Sequence, residues 1–371
     1  MMNKISLAQR RKITKRAIEE GQHLVLYIIE NTEATQFRYR VYNVMKATCD
    51  SKKWQAVYFL TSELKEIGEY AELASLIIVE RQAAKGRKLL NFIDRVKKYG
   101  GKVLLDIDDL VFDYNKLWLL MKSTNNMNLP YWFMYVRGVR KIALRVDGFI
   151  TTNDFLGQKL EKCFKKPYAV IRNSLNQEQI EVSKKFLGDK HRNFTIGYFS
   201  GSPTHVRDFK MVEPELLRFL RAHEDARVEV VGYMQIGGEA LKMVDEGRIG
   251  IFRPVDYLKL QELIARVNVS IAPLVLNDFT NCKSELKFFE AAVAETAVIA
   301  SPSYSYNQAM KNKEVGFLRK RGEWYKTLEY IYNNPKETKI VAKAARVYAL
   351  KHYIGPEFLK EVEDAYEYFA N

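Results

Sequence analysis

The sequence contains few cysteines and no long apolar run. These two features argue against disulfide-rich, zinc-binding and membrane-spanning proteins. Its 371 residues include three cysteines, Cys49, Cys163 and Cys282, which lie far apart and form no CxxC pair. This argues against a disulfide framework and against a zinc site of the usual spacing. No uninterrupted apolar run approaches the roughly 18 to 20 residues that cross a bilayer, and residues 1–22 lack the apolar core of a secretory signal. We therefore expect a cytoplasmic protein that is not exported by that route.

Common catalytic motifs are absent as well. The sequence has neither a GxxxxGK[ST] phosphate loop nor an HExxH zinc motif. Its five histidines form no Ser-His-Asp or Cys-His arrangement by spacing. These absences argue against P-loop nucleotide hydrolysis and against hydrolases that use an activated nucleophile.

Positive charge is abundant and unevenly distributed. Lys and Arg number 59 against 45 Asp and Glu, which gives a formal net charge of +14. The excess lies in three stretches: residues 1–22 with six cations and two acids, residues 85–102 with seven and one, and residues 116–146 with six and none. Such an excess indicates an anionic partner, for example a phosphorylated substrate, a membrane lipid or nucleic acid.

The stretch 116–146 combines its cations with the aromatic residues Trp118, Tyr131, Trp132, Phe133 and Tyr135. This mixture suits a surface that dips into the headgroup layer of an anionic membrane, and a platform that stacks single-stranded nucleic acid uses similar residues. Alternatively, the aromatics are core and the cations are the solvated face of the same helices. Residues 1–22 pose a related choice, because their amphipathic pattern predicts a helix that either meets anionic lipid or packs on the domain.

Short apolar runs alternate with helical periodicity along most of the chain. They lie near 23–30, 54–60, 74–80, 102–108, 146–152 and 168–173, and then, beyond a polar linker at 181–193, near 194–200, 226–232, 249–255, 267–273 and 296–302. Strands that are apolar on both faces and alternate with helices predict parallel sheets covered on both sides. We therefore predict an α/β protein with two doubly wound, Rossmann-like domains, at 23–185 and 194–345, facing a cleft. The basic helix over 1–22 precedes them, and a helical end over 346–371 packs back on the first domain.

One motif of the second predicted domain is the loop GSPTHVRDF, which leads from a strand into a helix. It contains Gly201, Ser202, His205 and Arg207. Backbone N–H groups of such a loop can approach an anion, and the guanidinium can add a bidentate phosphate contact. An ordinary strand-to-helix turn with Asp208 as the helix N-cap is the alternative.

A second motif is KSELKFFEAA, which predicts a helix that begins near Ser284 as its N-cap. A diphosphate at this helix start would meet unpaired N–H groups, the positive end of the helix dipole and the ammonium of Lys283. Glu290, one to two turns further along, could reach a ribose hydroxyl.

These stretches resemble the nucleotide-sugar-dependent glycosyltransferases of GT-B fold, in particular the retaining-type glycosyl transferases group 1 and their bacterial rhamnosyltransferase-like branch. The similarity lies in IGYFSGSPTHVRDF, KSELKFFEAAVAETAVIAS and KEVGFLRKRGEWYKTLEYI, and in VDGFITTNDFLGQKLE leading to YAVIRNSLN, and it spans residues 23–355. It implies that the second domain holds a nucleoside-diphosphate sugar and the first domain holds the acceptor.

The resemblance also implies roles for single residues. Glu290 matches the second Glu of the family's E-x7-E element, which contacts the donor ribose, while Lys283 and Ser284 lie beside the sugar and diphosphate. Arg207 matches the basic residue of the first loop of the donor domain. Cys282 stands where the first Glu of the element, which contacts the transferred sugar, is expected. This departure leaves the sugar and the choice between retention and inversion open.

Charged residues also follow the strands of the first predicted domain. LLDIDDLVFD places Asp106, Asp108 and Asp109 at the carboxyl end of a strand, where a carboxylate could act as general base on an acceptor hydroxyl or orient the acceptor. A DxD metal site and simple capping are the alternatives; the resemblance implies no metal. After the first strand, Arg38 and Arg40 could hold the pyrophosphate of a lipid-linked acceptor, or form surface ion pairs.

The resemblance and these residues together predict a glycosyltransferase of cell-surface polysaccharide synthesis. It would move a sugar, rhamnose or another hexose, from a UDP-, GDP- or dTDP-sugar to a glycan or lipid-linked glycan, with Asp108, Asp109 and Lys283 as catalytic residues and no cofactor. We expect it at the inner face of the plasma membrane, with an anionic membrane surface as a partner. A nucleotide-sugar epimerase of the same fold and a non-catalytic protein that binds anionic lipid or nucleic acid are the alternatives; nucleic acid is the less expected partner.

Overall fold

The computed structural model describes residues 5–201, 206–234 and 236–371, and over these residues the chain forms two six-stranded sheets. The strands of the first sheet are β1 (His23–Ile29), β2 (Trp54–Leu60), β3 (Leu76–Glu80), β4 (Val103–Ile107), β5 (Gly148–Thr151) and β6 (Tyr168–Val170). Those of the second sheet are β7 (Thr195–Ser200), β8 (Arg227–Gly232), β9 (Ile249–Phe252), β10 (Val269–Ala272), β11 (Ala297–Ala300) and β12 (Phe317–Leu318).

All neighbouring strands pair in parallel, and each sheet reverses its winding direction once. The orders are β2-β1-β3-β4-β5-β6 and β12-β11-β10-β7-β8-β9. In β1 every residue from Leu24 to Ile29 is buried, since helices cover both faces of the sheet. The predicted arrangement of two doubly wound parallel sheets is therefore confirmed.

Helices connect the strands and cover the sheets. In the first half they are α1 (Leu7–Glu19), α2 (Thr35–Phe37), α3 (Asn43–Thr48), α4 (Gly68–Leu73), α5 (Lys88–Lys98), α6 (Leu117–Ser123), α7 (Leu129–Ala143), α8 (Asp154–Phe164) and α9 (Gln177–Lys185). In the second half they are α10 (Val206–Ala222), α11 (Glu239–Asp245), α12 (Tyr257–Arg266), α13 (Asp278–Asn281), α14 (Leu286–Ala292), α15 (Tyr304–Met310), α16 (Trp324–Asn333), α17 (Pro335–His352) and α18 (Pro356–Ala370). None of the helices in the described part of the chain is long and apolar enough to span a membrane.

Both ends of the chain pack on the first sheet. In α1 the buried Arg10 donates to both carboxylate oxygens of Glu63, at 2.7 and 2.8 Å, and to the carbonyl oxygen of Tyr58. The final helix, α18, contributes Phe358, Val362, Tyr366 and other apolar residues to the same core as β1. The N-terminal helix thus directs part of its charge into the protein, and the C-terminal helix ties the second half of the chain to the first.

The polar stretch predicted as a linker is partly helical. Helix α9 runs to Lys185, and its Ile180 belongs to the apolar core of the second domain. Glu178 at its first turn accepts hydrogen bonds from Tyr42 of the first domain and Tyr257 of the second. The passage between the domains therefore begins as a packed helix, and residues 186–194 complete it as turns and loop. The charges around Ile180 hid the apolar face of this helix in the sequence.

Candidate active site at the interdomain seam

Loops that follow the strands of the first sheet meet the segment α13–α14 of the second domain; we call this contact the interdomain seam. Ion pairs cross it at three places. Asp109 approaches Lys283, Arg38 reaches Glu290, and Asp278 at the start of α13 pairs with Lys116 at 2.8 Å and Lys159 at 3.1 Å. The carboxyl ends of parallel strands are where such folds bind ligands, and the seam is the candidate site.

The structure brings the three predicted catalytic residues together. Lys283 Nζ lies 3.6 Å from Asp109 Oδ1, and both side chains keep about a quarter of their surface exposed, at 23% and 24%. Asp108 Oδ1 lies 2.6 Å from Nε of Arg81, whose Nη2 is 3.7 Å from Asp109. Arg81 directly follows β3, just as Asp108 follows β4. A carboxylate and an ammonium from opposite domains are therefore accessible at one point of the seam.

Lys287 on α14 was not singled out in the sequence, yet it is the most unusual cation of the seam. Its Nζ is shielded from solvent and has no hydrogen-bond partner, and it lies 4.7 Å from the ring centre of the buried Tyr198 on β7. Burial lowers the pKa of Lys287 to about 8; Asp208 opposes that shift, and the positive charge of Lys283 adds to it. Its spacing from Glu290 gives a usable signal, because residues three apart on a helix are neighbours on one face.

Glu290 is held by residues of the first domain. Its side chain is 4% exposed, and Oε1 accepts a hydrogen bond from Arg38 Nη2 at 3.1 Å and another from the hydroxyl of Tyr39. Tyr39 packs in the core of the second domain, with its ring 6.4 Å from that of Phe289. A ribose hydroxyl could reach Glu290 only by replacing these two donors. Arg38, which we predicted at the acceptor, instead contacts the predicted donor residue.

Arg40 and Asp106 lie in the interior rather than at a surface that an acceptor could touch. Each side chain is 1% exposed, and they form a bidentate ion pair with distances of 2.9 and 3.0 Å. Arg40 also donates to the carbonyl oxygen of Ile171 and to Asn173. Burial of two charges is tolerated here because they are paired and hydrogen-bonded. We therefore correct their predicted role from acceptor binding to holding the helical segment after β1 against β4 and the chain after β6.

Cys282 and Ser284 also differ from expectation. The Cys282 side chain is fully buried in the apolar core of the first domain together with Phe279, and burial raises the pKa of its thiol. It is therefore not placed beside a sugar. Helix α14 begins at Leu286 after Glu285, without a side-chain cap, and Ser284 Oγ accepts a hydrogen bond from Asn173 at 2.7 Å across the seam. The predicted N-cap role of Ser284 is replaced by this interdomain contact.

The GSPTHVRDF loop is only partly described. Ser202 and His205 lie outside the described residues, and Gly201 is exposed at the end of β7. Arg207 is exposed in the first turn of α10, and its Nη1 donates to the carbonyl oxygen of Lys122 at 3.4 Å. Asp208 lies inside α10 and accepts from the backbone N–H of Val275 at 2.9 Å, so it does not cap the helix as the alternative interpretation supposed.

Glu80 is a further residue that the sequence did not reveal. It ends β3, is 3% exposed and stands opposite Asp106 in the register of β3 and β4. Burial raises the pKa of Glu80 to about 8, and the charges of Asp108 and Asp106 add to that rise against the opposing effect of Arg81. Among the described residues, no group of three or more His, Cys, Asp or Glu side chains is arranged to hold a metal ion. The charged groups of the seam are carboxylates, such as Asp109, and cations, such as Lys283.

No protein-family model and no curated protein matches the sequence. The structure, however, is similar to solved structures along nearly its whole length. HepE of Anabaena, solved with UDP and glucose, is 12% identical over 94% of this chain and 99% of its own, with a TM-score of 0.60. Sucrose-phosphate synthase from Thermosynechococcus elongatus is 12% identical over 94% and 99%, with a TM-score of 0.61. A glycosyltransferase from Rickettsia africae is 14% identical over 94% and 98%, with a TM-score of 0.60. The chain has the GT-B fold, and the predicted resemblance is confirmed at the level of the fold.

Proposed function

We propose that this protein is a glycosyltransferase that moves a hexose from a nucleoside-diphosphate sugar to a hydroxyl of a glycan or lipid-linked glycan in cell-surface polysaccharide synthesis. The observation that carries the proposal is the approach of Lys283 to Asp109, at 3.6 Å, across the seam of a GT-B fold. A transfer between two bound substrates can use both groups. The acid of one domain can take the proton of the acceptor hydroxyl, and the cation of the other domain can stabilise the departing diphosphate. We place the enzyme as a peripheral protein at the inner face of the plasma membrane.

In the proposed reaction the bond between the anomeric carbon and the diphosphate oxygen breaks, and a bond from the acceptor oxygen to that carbon forms. The acceptor hydroxyl proton passes to the Asp109 carboxylate, which acts as general base. Negative charge develops on the departing diphosphate, where Lys283, Lys287 and the exposed Arg207 can stabilise it. Arg81 holds Asp108 at 2.6 Å and keeps Asp109 within its reach at 3.7 Å, which positions the carboxylate.

The donor is proposed to be a UDP-sugar first, and a GDP- or dTDP-sugar otherwise. Support for uridine comes from similar folds, because structures of HepE contain UDP with glucose or UDP-glucose. Within this chain, Glu290 remains the proposed partner of the ribose, on condition that Arg38 and Tyr39 release it. The domains therefore have to shift at the seam when the donor binds.

Two substitutions test this assignment through the release of nucleoside diphosphate from a panel of sugar nucleotides. We expect Lys283→Ala to weaken donor binding and turnover together, since it removes a cation from the diphosphate. Asp109→Asn should lower turnover by about 100-fold or more while donor affinity is kept, because a general base acts on the acceptor. Wild-type turnover of Lys283→Ala at saturating donor would contradict the proposal. Formation of an epimerised sugar nucleotide without acceptor would favour an epimerase instead.

A further inference from the structure

The surface of α6, α7 and the loop between them exposes a concentration of large apolar side chains. We call it the docking face and define it by six residues that are each 45 to 58% exposed: Trp118, Met127, Leu129, Tyr131, Phe133 and Met134. Among the described residues, no other segment of this length exposes as many. Contiguous apolar surface of this kind marks a site of interaction.

The docking face is ordered by its own contacts. Asn128 caps α7 by accepting from the backbone N–H of Tyr131 at 3.0 Å, and Trp132 Nε1 donates to the carbonyl oxygen of Asn126 at 3.0 Å. These bonds fix the loop between α6 and α7. The apolar side chains are therefore presented by a defined surface and not by a loose segment.

Cations accompany the apolar side chains on α6 and α7, and these two helices carry no acid. Phe133, Arg137 and Lys141 recur every four residues on α7, and Met134 lies three before Arg137, so each apolar residue neighbours a cation on the helix surface. The two cations are exposed. On α6, the Lys122 ammonium lies 5.1 Å from the ring centre of Trp118. No Asp or Glu occurs between residues 114 and 146. The face therefore matches an anionic partner that also accepts apolar groups.

Three candidate partners can be compared on these observations. Single-stranded nucleic acid needs open ring faces, but Tyr131 packs against Tyr135 at 6.2 Å and Phe133 against Tyr114 at 5.2 Å, and half of the exposed side chains are Met or Leu. A second copy of this chain would bring like charges together. An anionic bilayer accepts both the aliphatic side chains and the cations.

The docking face borders the candidate active site. Arg207 of the proposed donor site donates to the carbonyl oxygen of Lys122 at the end of α6, and Lys116 just before α6 pairs with Asp278 at the seam. A bilayer on this face would therefore lie next to the opening where the two domains meet.

We infer that the docking face seats the protein on an anionic lipid bilayer, with the apolar side chains among the headgroups, so that a lipid-linked acceptor enters the seam from the membrane. The delivery of an acceptor rests on the proposed function, and it implies that the acceptor is anchored in the membrane. Binding to lipid can be measured separately from transfer.

The test is co-sedimentation of the full chain with vesicles of phosphatidylcholine, with and without phosphatidylglycerol. We expect binding only to the anionic vesicles, weakened by salt. The charge variant Lys122→Gln, Arg137→Gln, Lys141→Gln should bind at least about tenfold more weakly, and so should the apolar variant Trp118→Ser, Phe133→Ser, Met134→Ser. A matched control, Lys336→Gln, Lys339→Gln, Lys343→Gln, removes three exposed lysines of α17 and should bind like the wild type.

Other outcomes overturn the inference. They are equal vesicle binding by the wild type and both docking-face variants, a dimer that both variants abolish in light scattering, or binding of an oligouridine that both variants abolish while vesicles are ignored. Calorimetry with UDP on the same proteins separates the two proposals: if UDP binds and vesicles do not, this inference fails alone. If no nucleoside diphosphate binds the wild type, the proposed function fails while the vesicle result stands.

Discussion

A buried lysine without a hydrogen-bond acceptor is costly, because desolvation disfavours its charged form. Lys287 is such a residue, and it lies on the same face of α14 as Glu290, four residues after Lys283 in the preceding turn. A second buried lysine, Lys190, offers a contrast. Burial also lowers the pKa of Lys190 to about 8, but its ammonium donates to the carbonyl oxygens of Ala265 and Val267 and to Thr296, at 2.8 to 2.9 Å. Lys190 thus holds the structure together, whereas the Lys287 ammonium has no hydrogen-bond acceptor and lies against the ring of Tyr198.

Lys287→Met is expected to stabilise the fold and to weaken the binding of UDP. Removing an unpaired buried ammonium should raise the free energy of unfolding by about 1 to 3 kcal/mol at pH 7, the scale of its pKa shift, while UDP affinity falls at least about tenfold. Thermal unfolding and calorimetry measure the two effects. Lys190→Met is the control, since it should destabilise and leave UDP affinity alone. Loss of stability in Lys287→Met would identify a structural lysine.

The affinity for UDP should fall as pH rises through about 8. Because the pKa of Lys287 is lowered from its usual 10.5 to about 8, its positive charge is present below that pH and lost above it. In the unfolded chain the lysine keeps its proton up to higher pH, so the same group makes stability rise with pH between about 8 and 10.5. Titrations from pH 6.5 to 9.5 measure affinity, and a profile unchanged in Lys287→Met would contradict the assignment.

The element that organises the first half of the seam is the helix after β1. It begins as α2, passes through a π-helical turn at Arg38–Tyr42 and continues as α3. π-turns of this kind are often found at functional positions. Here the turn sends Arg38 and Tyr39 into the second domain, while Arg40 points into the first. Residues two apart on a helix point in different directions, so the divergence fits the spacing of the two arginines, but the sequence could not show that both would be buried.

Arg40→Met tests the structural role of that turn. It leaves Asp106 buried without a counter-charge and should lower the free energy of unfolding by about 3 to 5 kcal/mol. Combining it with Asp106→Leu removes both charges and should restore most of the loss, while UDP affinity stays at the wild-type value in every folded variant. Chemical denaturation provides the measurement. If Arg40→Met were as stable as the wild type but transferred sugar to an acceptor more slowly, Arg40 would belong to the acceptor site as first predicted.

Strands and charges differ in how far the sequence reveals them. The apolar runs gave eleven strands to within a few residues, because buried parallel strands are apolar on both faces; the two-residue β12 is too short to leave such a pattern. Asp109 and Lys283 could be placed at the strand ends and the helix start. The residues around the site could not be placed in this way. Arg81 reaches Asp109, and Tyr39 donates to Glu290, only through the folding of distant segments. Cys282 was expected in the cleft, but packing places it in the core.

At the scale of the whole molecule, the two domains are held together by contacts that a donor bound at the proposed site would have to rearrange. Arg38 and Glu290 form an ion pair across the seam in which the side chains are 8% and 4% exposed. Tyr39 adds a second donor from the same turn. Glu290, the proposed partner of the ribose, already accepts hydrogen bonds from Arg38 and Tyr39. A nucleotide that binds at Glu290 would therefore compete with these two donors.

Arg38→Gln should therefore tighten nucleotide binding while it weakens the fold. Loss of the guanidinium leaves Glu290 short of one donor, so unfolding should become easier by about 1 to 3 kcal/mol. A ribose hydroxyl can then fill the vacant position, and UDP affinity should rise several-fold. Calorimetry and thermal unfolding check both directions. Weaker UDP binding in this variant would show that Arg38 itself contacts the nucleotide.

The central claim is that the leaving group of an activated sugar lies between Lys283 and Lys287, and a crystal structure with bound nucleoside diphosphate tests it most directly. The ligand should be whichever of UDP, GDP and dTDP most raises the melting temperature. We predict that its diphosphate lies within hydrogen-bond distance of both ammonium groups, with the ribose at Glu290 and Arg38 displaced. A diphosphate bound elsewhere on the molecule, or an empty seam at saturating ligand, would contradict the account.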